Sequence, residues 1–182
     1  MASPVARVTS SREIEGALAF GEILMKLTQI IAAGAVVPAL AGQQRDEVVK
    51  ELIDALVACG AVPAELAPEL LMRVLDRERK GSTGFGRGVA VPHVKHTGIK
   101  KMCAAVGLSR QGIEFNSLDR LPVYSVFLLV SPEDRPDQHL QAMEVIFKNL
   151  SKDTFRKFLR QASSLEEINV LLEEADGSAF GT

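Results

Sequence analysis

Residues 81–94 read GSTGFGRGVAVPHV, and the character of the chain changes midway through them. Four glycines within Gly81–Gly88 exclude regular structure and predict a tight loop, because glycine tolerates backbone conformations that other residues avoid. Val89-Ala90-Val91 then predicts a short strand that ends at Pro92 and His93. His93 would stand with a rigid scaffold behind it and an open loop before it, a common setting for a reactive side chain.

The segments around this stretch alternate in type. On the N-terminal side, Val36, Val37 and Leu40 suggest a short strand beside Gly34 and Pro38. Asp46–Cys59 carries Val48, Val49, Leu52, Ile53, Leu56 and Val57 on one helical face, stopped by Gly60. Glu65–Arg79 repeats the pattern with Leu66, Leu70, Leu71, Val74 and Leu75, and Pro68 marks its first turn or kinks it. On the C-terminal side, Met102–Ser109 and Val123–Val130 have strand length, the second apolar almost throughout, as for a strand covered on both faces. Helices are predicted over Pro136–Leu150 and Asp153–Gln161, and Ser164 with Glu167 forms a capping box ahead of a third. Strands alternating with helices predict an α/β layered domain.

Composition narrows the class. The 182 residues suit one domain, and 47% hydrophobic residues with 5% aromatic and no Trp predict an aliphatic core. The net charge of −2 with no basic stripe predicts no nucleic-acid partner. The longest apolar run, Ile30–Ala41, is broken by Gly34 and Pro38 and falls short of the roughly 20 residues of a membrane span, so no membrane insertion is expected. Arg7, Arg12 and Glu13 interrupt any secretory signal. Cys59 and Cys103 lack CxxC spacing and predict reduced, buried thiols in a cytoplasmic setting. Residues 1–24 read as an extension of unknown role, in which Arg12–Leu24 has the pattern of a short amphipathic helix and Met25 offers a second possible start. Residues 25–176 form the domain and 177–182 a C-terminal tail.

Three histidines are available: His93, His96 and His139. A neutral imidazole is a nucleophile near neutral pH once its second nitrogen is fixed by a carbonyl. To accept a phosphoryl group it needs backbone N–H groups around the phosphate, a cation, and a donor that orients the oxygens. Ser82–Gly88 supplies closely spaced amides, Arg77 ends the preceding helix, and His139 lies in the first turn of a predicted helix. Blander readings compete at each position: a structural turn, a solvated helix end, and for His96 a surface residue. The loop does not fit a P-loop, and no Gly-x-Gly-x-x-Gly is present. A zinc site built from His93, His96 and His139 would leave the glycine loop unexplained, so no metal and no cofactor is expected.

Ser82-Thr83-Gly84, Gly88-Val89-Ala90, Val91, Pro92 and His93 together resemble the phosphorylation-site signature of the mannitol/fructose-type enzyme IIA domains of the bacterial sugar phosphotransferase system. Arg77-Glu78 before the loop, His139-Leu140 after a buried strand, and the strand-turn-strand passage Gly112–Val130 resemble further blocks of that family. The resemblance spans about residues 25–175 and implies a mixed central β-sheet flanked by helices on both sides. It implies that His93 accepts the phosphoryl group through Nε2, that His139 steadies it unmodified, that Arg77 offsets its charge, and that Ser82, Thr83, Gly84, Gly86 and Gly88 border it. The implied partners are a phosphocarrier resembling HPr and, downstream, a IIB domain or a regulatory target. With no IIB- or IIC-like region in the sequence, the nitrogen-regulatory branch is the closer match. The family usually has Gly or Ala after the active histidine; here Val94, Lys95 and His96 follow, predicting a bulkier, basic rim that alters donor docking. The alternative is a regulatory module that keeps the fold and acts by contact alone.

Overall fold

The computed structural model describes residues 25–177, so the N-terminal extension with its predicted helix, and all of the tail beyond Gly177, lie outside the described residues. In chain order the elements are α1 (Leu27–Ile30), β1 (Ile31–Val37), α2 (Arg45–Ala58), a 3-10 turn (Ala64–Leu66), α3 (Ala67–Arg79), β2 (Gly84–Gly86), β3 (Val89–Ala90), β4 (His93–His96), β5 (Cys103–Ile113), β6 (Val123–Pro132), α4 (Pro136–Leu150), α5 (Asp153–Gln161) and α6 (Leu165–Asp176). The strands form one mixed sheet in the order β1-β5-β6-β3-β2, with β4 also paired to β6. β6 is antiparallel to β5 and parallel to both β3 and β4.

Side chains alternate across a strand, and here both faces are covered. Phe127 and Leu129 of β6 enter the core shared with α1, α4, α5 and α6, whereas Val126, Leu128 and Val130 enter the core shared with α2 and α3. Two apolar layers explain why this strand shows no polar alternation in sequence. Phe127 is fully buried, and truncating such a residue to Ala removes about 3–5 kcal/mol. The expected mixed sheet with helices on both sides is the observed architecture.

Element boundaries moved where pairing is non-local. Leu40 lies beyond β1, but its N–H still donates to Leu108 O at 2.8 Å. The helix expected from Glu65 begins as the 3-10 turn, and Pro68 falls in the first turn of α3, where a missing N–H costs no intrahelical bond. Ser164 Oγ accepts from Glu167 N–H, while the Glu167 carboxylate accepts from Ser163 N–H at 2.6 Å, one residue before the cap.

Two corrections bear on the site. The glycine stretch is not wholly irregular: β2 pairs antiparallel with β3 through Gly84↔Ala90 and Gly86↔Val89, closing a hairpin. The strand expected to end at His93 is instead interrupted at Val91-Pro92 and resumes as β4, which His93 opens. Pro92 has no N–H to donate, but its carbonyl accepts from Leu129 N–H at 3.0 Å, so β6 carries the chain across the gap.

Candidate functional site: a histidine pair on β4 and α4

The register of β4 against β6 aligns His93 with Leu129 and Lys95 with Ser131. Leu129 points into the core under α4, so His93 and Lys95 share the α4 side of the sheet. His139 projects from the first turns of α4 to meet them: the rings of His93 and His139 lie 5.5 Å apart between centroids, tilted by 55°.

The two rings are held differently. His93 is partly exposed, and its Nδ1 lies 2.9 Å from Val91 O. A carbonyl only accepts, so Nδ1 carries the hydrogen and Nε2 keeps its lone pair. His139 is buried, with Nδ1 2.8 Å from the buried hydroxyl of Ser131. Burial, helped by the neighbouring His93 and Lys95, pushes the His139 pKa down to about 4. His139 is therefore neutral at physiological pH, with one N–H to direct.

The glycine hairpin is held as firmly. Glu78, buried at the end of α3, accepts from Thr83 N–H at 3.0 Å and from Thr83 Oγ1. Gly84 N–H donates to Ser82 Oγ at 3.1 Å, and Ser82 Oγ donates to Phe115 O at 2.9 Å. Arg87 N–H donates to Asp119 at 3.0 Å. Three amides of the stretch expected to face a ligand, those of Thr83, Gly84 and Arg87, are thus engaged within the protein. The backbone at Gly86 (φ 105°) and Gly88 (φ 76°) is left-handed, which explains glycine at both positions. Phe85 between them packs on Phe147 of α4, ring centroids 5.0 Å apart, tying the hairpin to the helix that bears His139. Arg77 is exposed, and Nη1 donates to Gly81 O at 2.8 Å.

His96 and Val94 depart from expectation. Alternation along β4 turns both away from His93: Val94 is 7% exposed within the α2/α3 core, and His96 is 5% exposed. His96 Nδ1 accepts from Gly98 N–H at 2.9 Å, and Nε2 lies 3.1 Å from Glu69 Oε1, an electrostatic contact off the hydrogen-bond axis. It is not a solvated surface residue, and of the expected basic rim only Lys95 faces the site. His96 on the opposite face also rules out the three-histidine metal centre; among the described residues no group of three or more His, Cys, Asp or Glu is placed to hold an ion.

Ser131 escaped the sequence reading, although a lone hydroxyl closing the apolar run of β6 just before Pro132 was a visible signal. The Val91 carbonyl left none, since any residue has one. Glu78 stands beside Arg77 in the sequence, with nothing local to signal its bonds to Thr83.

A sheet-edge histidine with one ring nitrogen held by a carbonyl, beside a second, buried histidine, defines a histidine-pair site on a three-layer α/β domain. The chain belongs to the family described as "Phosphoenolpyruvate-dependent sugar phosphotransferase system, EIIA 2", whose model matches residues 29–175. A nitrogen regulatory protein of Pseudomonas aeruginosa is 30% identical over 145 residues, covering 80% of this chain and 93% of the relative. The fructose-specific EIIABC component of Bacillus subtilis is 28% identical over 84% of this chain, which spans only 24% of that longer protein. The crystal structure of the nitrogen regulatory protein IIA-Ntr from Neisseria meningitidis superposes with a TM-score of 0.71 at 27% identity, covering 79% of this chain and 97% of the other. Among the described residues no helix is long and apolar enough to cross a membrane.

Proposed function

We propose that the protein is a phosphohistidine carrier, loaded on Nε2 of His93 by a small phosphocarrier resembling HPr. The observation that carries the reading is the Nδ1–Val91 O bond, which leaves Nε2 as the free nucleophile. In the transfer, the Nε2 lone pair forms a P–N bond to the phosphorus of the donor phosphohistidine as the donor's own P–N bond breaks. The proton stays on Nδ1, hydrogen-bonded to the Val91 carbonyl, which stabilises the imidazolium character of the product. His139, neutral, would donate from Nε2 to a phosphoryl oxygen without being modified, with Ser131 Oγ then donating to its Nδ1. Lys95 and Arg77 supply positive charge, and the Ser82–Gly88 hairpin borders the group chiefly as a fixed wall.

The onward acceptor is a IIB domain or a regulatory target, in a cytoplasmic setting. Similarity to a nitrogen regulatory protein along nearly its whole length favours the regulatory branch. The contact-only reading drew on a bulky rim at Val94-Lys95-His96, and the burial of Val94 and His96 removes two of its three residues.

Incubation with phosphoenolpyruvate, enzyme I and an HPr-type carrier tests the proposal. One acid-labile phosphoryl group per chain is expected, lost in His93→Ala while the circular dichroism spectrum is kept. A folded wild-type chain that takes up no label from cognate donors overturns it.

A further inference from the structure

Folding gathers a basic cluster that is scattered in the sequence. Arg87, from the turn joining β2 to β3, and Arg156, Lys157 and Arg160, from α5, line an open cleft of about 260 Å³ together with Tyr124 and Asp153. Asp153 is the one carboxylate on its wall, and it is paired to Arg156, which also donates to Leu150 O at 2.6 Å. Among the described residues no carboxylate lies within ion-pair distance of Arg87, Lys157 or Arg160. Three uncompensated cations thus converge on one concavity of a chain whose formal net charge is −2.

The cations are positioned. The Arg160 guanidinium stacks on Tyr124, 3.6 Å from the ring centroid, which orients it while leaving its N–H groups free to donate. That ring lies where it does because residue 88 is glycine: a Cβ there would come within 3.0 Å of Tyr124 Cδ2. Arg87 leaves a backbone pinned by its own N–H bond to Asp119. Like charges held together in a cleft repel, and a ligand with matching negative charges relieves that repulsion. The volume lies just below the range typical of drug-sized ligands, which suits a compact anion better than a folded partner.

We infer that this cleft binds a small phosphorylated ligand carrying at least two negative charges, a diphosphate or bisphosphate, at a site distinct from His93. Val89 borders the cleft and pairs with Ser125 of β6, whereas His93 pairs with Leu129, four residues further along that strand and about 13 Å away. Arg87 and Gly88 belong to the hairpin that borders the phosphoryl group, but the inference requires no phosphoryl transfer, and its α5 cations and Tyr124 take no part in that proposal.

Isothermal titration of the full chain with inorganic pyrophosphate and with ADP, in 0.15 M salt, tests it. Saturable 1:1 binding of at least one probe is expected, weakened at least tenfold in Arg160→Gln and lost in the combined Arg87→Gln, Lys157→Gln, Arg160→Gln variant. Binding should persist in His93→Ala, and amide shift changes should centre on residues 87–89, 124–125 and 153–160. Binding of both probes identifies the diphosphate as the recognised group, and binding of ADP alone adds the nucleoside. The inference is overturned by no heat from either probe at millimolar concentration, by undiminished binding in the folded triple variant, or by shifts centred on His93. Tighter binding of a short polyglutamate peptide than of either probe overturns it in favour of an acidic protein partner.

Discussion

Ser131 Oγ and His139 Nδ1 meet at 2.8 Å between the end of β6 and the first turns of α4, with both side chains buried. A serine hydroxyl can donate to Nδ1 or accept from it, and only the first puts the hydrogen of the neutral ring on Nε2, the arrangement that the proposed role of His139 requires. Ser131→Ala should leave Nδ1 buried without a partner, destabilising the fold by about 1–3 kcal/mol. Phosphorylation of His93 should slow by about tenfold, since its orienting donor loses its tautomer. Stopped-flow labelling beside thermal unfolding checks this; an unchanged rate with a lowered Tm would confine Ser131 to structure.

Acid should destabilise the protein earlier than its carboxylates alone would allow. His139 binds a proton in the unfolded chain below its ordinary value of 6.5 but resists one in the native state down to about 4. The unfolded state thus holds more protons across that window, and stability falls as pH drops through it, by up to roughly 3 kcal/mol in total. Glu47 and Glu167, through hydrogen bonds, and Glu69, through His96 and Arg73, are held below their usual 4.5, so their loss begins lower. Urea denaturation between pH 7 and 4 should show the slope in wild type and a flatter one in His139→Gln. Parallel curves would assign the acid sensitivity elsewhere.

Glu78 holds the glycine hairpin through Thr83, accepting from both its N–H and its hydroxyl. Glu78→Ala removes two hydrogen bonds to a buried carboxylate and leaves the Thr83 N–H without its partner, for an expected loss of about 2–4 kcal/mol. Hydrogen exchange should report it locally, with faster exchange at Thr83 and Gly84 than in β5. Uniform acceleration across the sheet would mean that the hairpin is not a separate unit.

Among the described residues the Arg77 side chain makes a single hydrogen bond, to Gly81 O, so its contribution to folding is small. Arg77→Gln should change stability by less than about 1 kcal/mol. If its charge offsets the phosphoryl group, labelling of His93 should slow by roughly tenfold or more. A rate within twofold of wild type would remove Arg77 from the site and leave Lys95 as its cation.

Burying the apolar faces of Val48–Leu56, Leu70–Val74 and Ile146–Leu150 needs nothing beyond local periodicity, so these helices were legible in the chain. The same holds for the setting of His93, because Pro92 and the glycines act on their own backbone. β4 was not legible: a four-residue strand after a proline exists only because β6, whose paired residues lie 36 positions later, offers its edge. Without that strand its period of two was hidden, and so was the consequence that Val94 and His96 face one core while His93 and Lys95 face α4. The pairing of His139 with Ser131 and the gathering of Arg87 with the α5 cations likewise needed the tertiary structure. Sequence pattern reports what a residue does to its neighbours along the chain; which distant groups share a dielectric, a hydrogen bond or a field is settled only when strands find their partners.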